Sequence, residues 1–302
     1  MDNELLEKIS DYKIEAGVAH NIRKNGESIS RAETDNIKIK TKEDKPGIDI
    51  FIKEGTHEEY VHIPVIITTT DYQETVYNDF YVGKNSNVTI VAGCGIHNDC
   101  ETGSVHNGIH TFHIEKGATV KYIEKHYADG LYDNNKFINT DTIIELDKNS
   151  SMTMETAQIS GIDKAIRRTN ATLNDDSTLK IKETLMSDNK EEIETNFDIK
   201  MKGKNTNADV ASKSVARKNS KQTFRSNVDG NNKCFAHVSC DAIVMENSKV
   251  TSIPAINANS KEAEISHEAV IGKIATDQIT KLMSLGLTEA EAEEKILEGF
   301  LK

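Results

Sequence analysis

The chain has 302 residues, a formal net charge of -12 and an isoelectric point near 5.4. That length can bury a substantial core, but the charge has the wrong sign for a nucleic-acid binder, which needs surplus Lys and Arg at phosphates. No apolar run approaches the ~20 residues needed to cross a bilayer, and Met1-Asp2-Asn3-Glu4 does not begin like an export signal, so a cytoplasmic protein with reduced thiols is expected.

The acidic residues are spread along the chain and read as solvated surface, or as a docking face for a basic partner. Three regions are expected: an N-terminal helical and extended segment over 1–47, a β-rich body over 48–270 and a helical tail over 271–302. In the first, Asn3 to about Glu15 has the spacing of a short amphipathic helix with Leu5, Leu6, Ile9 and Tyr12 inward. The charged run Lys38 to Lys45 then meets Pro46-Gly47, an exposed turn.

The body carries an internal repeat. A polar turn built on Gly, Asn or Asp and followed by an apolar strand start recurs at Lys84-Asn85-Ser86-Asn87-Val88, Lys116-Gly117-Ala118-Thr119-Val120, Lys148-Asn149-Ser150-Ser151-Met152, Asp175-Asp176-Ser177-Thr178-Leu179 and Glu246-Asn247-Ser248-Lys249-Val250. The markers Val88, Val120, Met152, Leu179 and Val210 fall about 30 residues apart, within the range of stacked repeats. Three prolines in the whole chain suit long ladders in which nearly every N–H donates. A mainly β solenoid follows, each coil laying its strands on those of the coil before. Its end coils expose strand edges that must be covered or paired.

In the tail, Thr276 is placed to cap a helix bearing Ile279, Leu282 and Met283, and Gly286 supplies a left-handed stop. Thr288 and Glu291 have capping-box spacing for a second helix with Ile296, Leu297 and Phe300 inward. Helices this short need packing partners.

Two groups of residues can carry chemistry. The first is Cys240 with His267 and Glu268, where a strand-rich body passes through a Ser266-His267-Glu268-Ala269 corner. Thiolate, imidazole and carboxylate are all competent iron ligands. Alternatively, Cys240 is a small buried hydrophobe, His267 a satisfied histidine and Glu268 a solvated carboxylate or cap. The second group is Cys94, His97, Cys100, His106, His110 and His113, with His126 beyond. Its spacing is that of a zinc site, although strand alternation must send neighbouring side chains to opposite faces. Structural roles, an auxiliary iron or sulfur site and zinc all stay open. No P-loop and no Gly-x-Ser-x-Gly elbow is present, so the chain itself is not expected to bind and hydrolyse ATP through a P-loop.

The run from Cys240-Asp241-Ala242 through Ser266-His267-Glu268-Ala269, Ile271-Gly272-Lys273-Ile274, Asp277-Gln278, Leu282-Met283-Ser284-Leu285-Gly286-Leu287, Glu291-Ala292 and Glu298-Gly299-Phe300 resembles the end of the SufB/SufD family. A looser likeness extends back to about Val61 through Val82-Gly83-Lys84-Asn85-Ser86 and Val91-Ala92-Gly93-Cys94. The resemblance implies a right-handed parallel β-helix and a scaffold on which iron–sulfur clusters are built, in complex with an ABC-type ATPase, SufC. It implies pairing through the β-helix bodies, as a homodimer or with a paralogue, and a sulfur donor protein. Reduced flavin as an electron source stays open. At the matching positions Cys240 accepts sulfur and holds the nascent cluster with Glu268, while His267 is shared by the two paralogues. Cys94, read as lying in a Gly-Cys-Gly turn, would relay sulfur, and His106-Asn107-Gly108 resembles a strand signature of the family. The chain keeps the SufB-type Cys and Glu, and it has Ile265 near where SufD members carry a Cys, so it is read as SufB-like. Full-length members have a longer N-terminal helical region than 1–47 offers. The alternatives are a β-helix carbohydrate-active or adhesive protein, disfavoured by the lack of Trp and by 5% aromatics, and a His/Cys metal-binding module.

Overall fold

A computed structural model describes residues 2–10, 17–132, 135–159 and 161–301. The chain begins with α1 (Asp2–Ser10), β1 (Ala19–Lys24), β2 (Glu27–Ala32), β3 (Ile37–Thr41) and β4 (Gly47–Ile52). The long strands follow as β5 (His57–Ile67), β6 (Tyr72–Val82), β7 (Asn87–His97), β8 (Ser104–Ile114), β9 (Thr119–Asp129), β10 (Lys136–Leu146), β11 (Ser151–Gln158) and β12 (Lys164–Leu173). The last are β13 (Thr178–Ser187), β14 (Glu192–Met201), β15 (Thr206–Ala216), β16 (Lys221–Gly230), β17 (Cys234–Val244), β18 (Lys249–Ala258) and β19 (Ala263–Gly272), before α2 (Thr276–Ser284) and α3 (Glu289–Leu301).

From β5 onward, odd-numbered strands join one sheet and even-numbered strands the other, and each strand pairs in parallel with the one two places on. The result is a parallel β-solenoid of about 8 turns. Side chains alternate between lumen and exterior, as along β8 and β14. The inward residues fuse into an apolar core running from Ala19 to Cys240.

The repeated turn has a backbone cause. Asn85, Asn149, Asp176 and Asn205 adopt φ between 54 and 58°, and Gly117 has φ 74°, the left-handed region that Asn, Asp and Gly enter most cheaply. Two details of the sequence reading change. Leu179 pairs with Ala208, so Ala208 and not Val210 continues the marker row, while Val210 lies in the next row opposite Ile181. The Glu246-Asn247-Ser248 turn links β17 to β18, across the opposite side of the coil. It belongs with the turns at Asn189 and Lys218, which also have positive φ.

The two ends of the solenoid differ. At the N-terminal end β2 runs antiparallel to β1 and β3 antiparallel to β4, closing each sheet with a hairpin. At the other end β18 and β19 are the last strands of their sheets. Ile256 and Ile271, inward by register with Val228 and Ala242, are nevertheless 44% and 42% exposed. The tail leaves this end uncovered: α3 packs outside β15, where the Lys213 ammonium stands over the Phe300 ring.

The helices also depart in part from expectation. Residue Tyr12 and the rest of 11–16 lie outside the described residues, and α1 is described as far as Ser10. Thr276 is the first residue of α2 and makes no side-chain cap bond, Ala275 being the N-cap. Thr288 does form the capping box: its N–H donates to the Glu291 carboxylate at 2.8 Å, and the Glu291 N–H donates to its hydroxyl at 3.3 Å. Gly286 supplies the stop at φ 99°.

Candidate functional site at the open end

Cys240 lies on β17 and faces the lumen, one coil from the uncovered end. Its inner row runs Glu124, Thr156, Glu183, Ser212, Cys240 and Ala269 across six neighbouring strands. Burial pushes the Cys240 thiol up to about 11, against a hydrogen bond with the Ser252 hydroxyl, so the resting group is a thiol. Ser252 comes from β18 in the facing sheet, and its hydroxyl is 3.5 Å from Nε2 of His267. His267 also points inward, with its ring 6.4 Å from that of Phe224. Its Nδ1 is buried without a hydrogen-bond partner, and burial, with His237 nearby, lowers its basicity. Cys240, Ser252 and His267 therefore form one lumenal group.

Glu268 does not join that group. The Ser266 to Ala269 segment is strand and not a corner, so adjacent residues point to opposite faces. Glu268 stands on the outer face, its carboxylate 3.7 Å from Nε2 of His237, whose Nδ1 is 3.3 Å from Asp209. Ser252, His237 and Asp209 were missed from sequence. Only the register of β18, β17 and β15 against their neighbours brings them forward.

The second candidate group is dispersed. Cys94 sits within β7 and not in a turn, facing the lumen, with its thiol pushed well up by burial. The flanking glycines have a packing cause, since α1 crosses the outer face here with Leu5 and Ile9 against Ile66. A Cβ on Gly93 would lie 2.6 Å from the Ile9 carbonyl oxygen. His97 faces outward between Asp129 at 2.6 Å and Asp99 at 3.1 Å, and the Asp129 hydrogen bond raises its pKa. Cys100 is exposed in the following loop.

His106 and His110 are inward residues of β8. His106 meets the Glu74 carboxylate at 2.9 Å, and His110 meets the Tyr122 hydroxyl at 3.0 Å, its pKa lowered to about 4 by burial. His113 faces out, bonded to Glu145 at 2.7 Å and stacked on Tyr81. Strand alternation thus splits the apparent zinc spacing between two faces. Among the described residues no three His, Cys, Asp or Glu side chains converge as a metal cage.

Between Cys94 and Cys240 the lumen is polar. Cys94 pairs across strands with His126, which in turn pairs with Gln158. From β12 in the facing sheet Arg167 reaches the adjoining row, where it binds Glu124, with Glu183 at 3.8 Å, and lies 3.3 Å from His126 Nδ1. Ser212 donates to Glu183 at 2.7 Å. The hydroxyls of Thr142, Thr156 and Thr169 and the Gln158 amide nitrogen have no protein partner. Buried polar groups of this kind are normally satisfied, so the column is built to hold water or a small polar species.

The fold is thus a parallel β-solenoid with a thiol and an imidazole turned inward in its last coils. The chain belongs to the SufB/SufD family: residues 68–300 match the SufBD core domain of the SUF system for FeS cluster assembly. It is 27% identical over 272 residues to an iron–sulfur cluster assembly SufBD family protein of Methanocaldococcus jannaschii, covering 87% of this chain and 83% of that one. A Methanothermobacter thermautotrophicus SufBD family protein is 24% identical over 270 residues, and the match spans 84% of this chain but 62% of that longer one. The Bacillus subtilis iron–sulfur cluster assembly protein SufB is 31% identical over 102 residues, 32% of this chain and 22% of that one. Family membership gives the chain a role in iron–sulfur cluster assembly. Among the described residues no helix is long and apolar enough to cross a membrane.

Proposed function

We propose that this protein is a non-catalytic, SufB-like cytoplasmic scaffold on which a cluster is built where two solenoids meet end to end, driven by a SufC-like ABC ATPase docked on α2 and α3. The observation that carries this reading is the open last coil. Its last strands β18 and β19 pair on one side only, with β16 and β17, and have no partner on the outer side among the described residues; its inward Ile256 and Ile271 are exposed, and the Cys240, Ser252 and His267 group lies just inside. A second copy, or a paralogue, mated to these edges would cover the apolar residues and bring two thiol sites to one seam. Cys240 and His267 would hold iron and sulfide from within, and Glu268 from the rim of the seam. ATPase closure would shift the paired scaffolds and open the buried thiol to its cargo.

Cys94 is the second thiol of this scheme. It lies five strand steps from Cys240, roughly 24 Å at ~4.8 Å per step, too far for direct exchange. Sulfur placed on Cys94 as a persulfide by a donor protein would leave as hydrosulfide and restore the thiol, with two electrons from a pair of external thiols that close to a disulfide or from a reduced flavin. It would then travel the polar column past Glu124, Arg167 and Ser212. The exposed Cys100 and the outward His97 and His113 have no part in this path. The carbohydrate-active, adhesive and His/Cys metal-module alternatives fall with family membership and with the dispersal of the Cys94 to His113 group.

The test is anaerobic reconstitution with iron and sulfide, together with co-purification with the ATPase. Cys240→Ala and Glu268→Ala should each retain under about a tenth of the wild-type cluster absorbance. Cluster yields equal to wild type in both variants would remove the ligand assignment.

A further inference from the structure

The outer face of the last coils carries a second set of metal-competent groups. Asp209 on β15, His237 on β17 and Glu268 on β19 lie on three consecutive strands of one sheet, all facing away from the lumen. The imidazole stands between the two carboxylates, with Nδ1 3.3 Å from Asp209 and Nε2 3.7 Å from Glu268. We propose that His237 and Glu268 form a loading site for ferrous ion, with Asp209 fixing the imidazole so that Nε2 is presented to the metal. This deepens the cluster-assembly reading and rests on it.

The geometry fits the roles. Two donors 3.7 Å apart, on an ion with bonds of about 2.1 Å, subtend about 125°, within a small side-chain rotation of tetrahedral coordination. Imidazole nitrogen with carboxylate oxygen suits a divalent first-row ion. A ligating histidine characteristically donates its other ring N–H to a carboxylate, which fixes the tautomer, and Asp209 occupies that place.

The surrounding outward side chains add attraction. Asp241 and Glu264 lie on the same two terminal strands, with Lys213 the cation of the adjoining strand. Two protein donors leave the remaining positions to water. An ion bound that way exchanges readily, as a cargo in transit must. The position matters as well: His267 and Glu268 are consecutive on an edge strand, so the ion is held across the sheet from the lumenal imidazole.

Other carboxylate-paired histidines face outward too. His97 stands between Asp129 and Asp99, and His113, paired with Glu145 alone on the other sheet and far from the open end, serves as the single-carboxylate control.

The experiment is anaerobic calorimetric titration of the full chain with ferrous ion alone, without sulfide. Wild type should show a saturable site that weakens at least tenfold in His237→Ala and about tenfold in Asp209→Asn, the usual range for loss of a carboxylate behind a ligating histidine. His113→Ala should match wild type. Both histidines are exposed enough for the variants to fold, which circular dichroism checks. Unchanged ferrous affinity in His237→Ala, or an equal loss in His113→Ala, overturns the loading site. If that happens while Cys240→Ala still fails to hold a reconstituted cluster, the assembly reading stands without it. If Cys240→Ala and Glu268→Ala both assemble clusters normally, the cluster-ligand assignment is the one that fails.

Discussion

Replacing Arg167 by Met tests how the polar column is held inside an otherwise apolar solenoid. Arg167 is the cation between Glu124 and Glu183, whose side chains are 2% and 0% exposed. Methionine keeps much of the volume but leaves two buried carboxylates without it. Breaking one buried pair in this way costs about 3–5 kcal/mol. The pH dependence gives a sharper check.

In the wild type, burial is the largest single influence and would raise the Glu124 pKa, but Arg167 together with His126 and His110 outweighs it and holds the group well below the usual carboxylate range. Its stabilising contribution is present above the unfolded value of 4.5 and is lost as pH falls through the folded value. In the variant, burial dominates at both Glu124 and Glu183. The native state then binds protons that the unfolded state has released, and folding becomes more favourable on acidification. Urea unfolding followed by circular dichroism should show Arg167→Met weaker by at least ~3 kcal/mol at about pH 8, with the gap narrowing towards about pH 5. A loss below about 1 kcal/mol, or one that does not narrow with acid, would refute this account of the column.

Gly93→Val places a side chain where the Ile9 carbonyl of α1 lies, so about 1–3 kcal/mol of overpacking is expected. Limited proteolysis should find the N-terminal segment cut faster, while the coils beyond β11 keep their protection. Glu191 accepts N–H groups from Gly161 at 2.9 Å and Asp188 at 2.8 Å, yet burial raises its pKa to about 7. Stability should therefore fall as pH rises from 4.5 through 7. Glu191→Gln, which retains an acceptor oxygen, should flatten that slope by up to about 3 kcal/mol in urea titrations across the window. Val270 is 66% exposed on the edge strand β19, and Val270→Lys places a charge where a mating strand would lie. Sedimentation should then shift towards monomer at least tenfold in apparent affinity, and an unchanged profile would place self-association elsewhere.

The solenoid was legible because its repeat is written in turn chemistry. Asn85, Gly117, Asn149 and Asp176 mark left-handed residues at coil intervals, and that signal survives strand-by-strand divergence. The register was harder: Val210 and Ala208 are both small, apolar and inward, and only the ladder decides between them. The same limit blurred the functional residues. Cys240, His267 and Glu268 stood out as residue types, but a period of two puts Glu268 on the opposite face, and an assumed corner at 266–269 hid this. Ser252 gave no signal, because its role comes from facing Cys240 across the lumen. The Cys94 to His113 spacing looked like a metal site because spacing along a strand ignores which face each residue takes.

The hairpins at the N-terminal end have a consequence for the edges the molecule offers to others. A stack of parallel strands with both ends cohesive would polymerise, each molecule templating the next into a fibre. Here β2 and β3 run antiparallel to β1 and β4, so the parallel ladder ends at this side of the molecule, and the two ends offer different edges: an antiparallel hairpin strand at one, the continuing parallel strands β18 and β19 at the other.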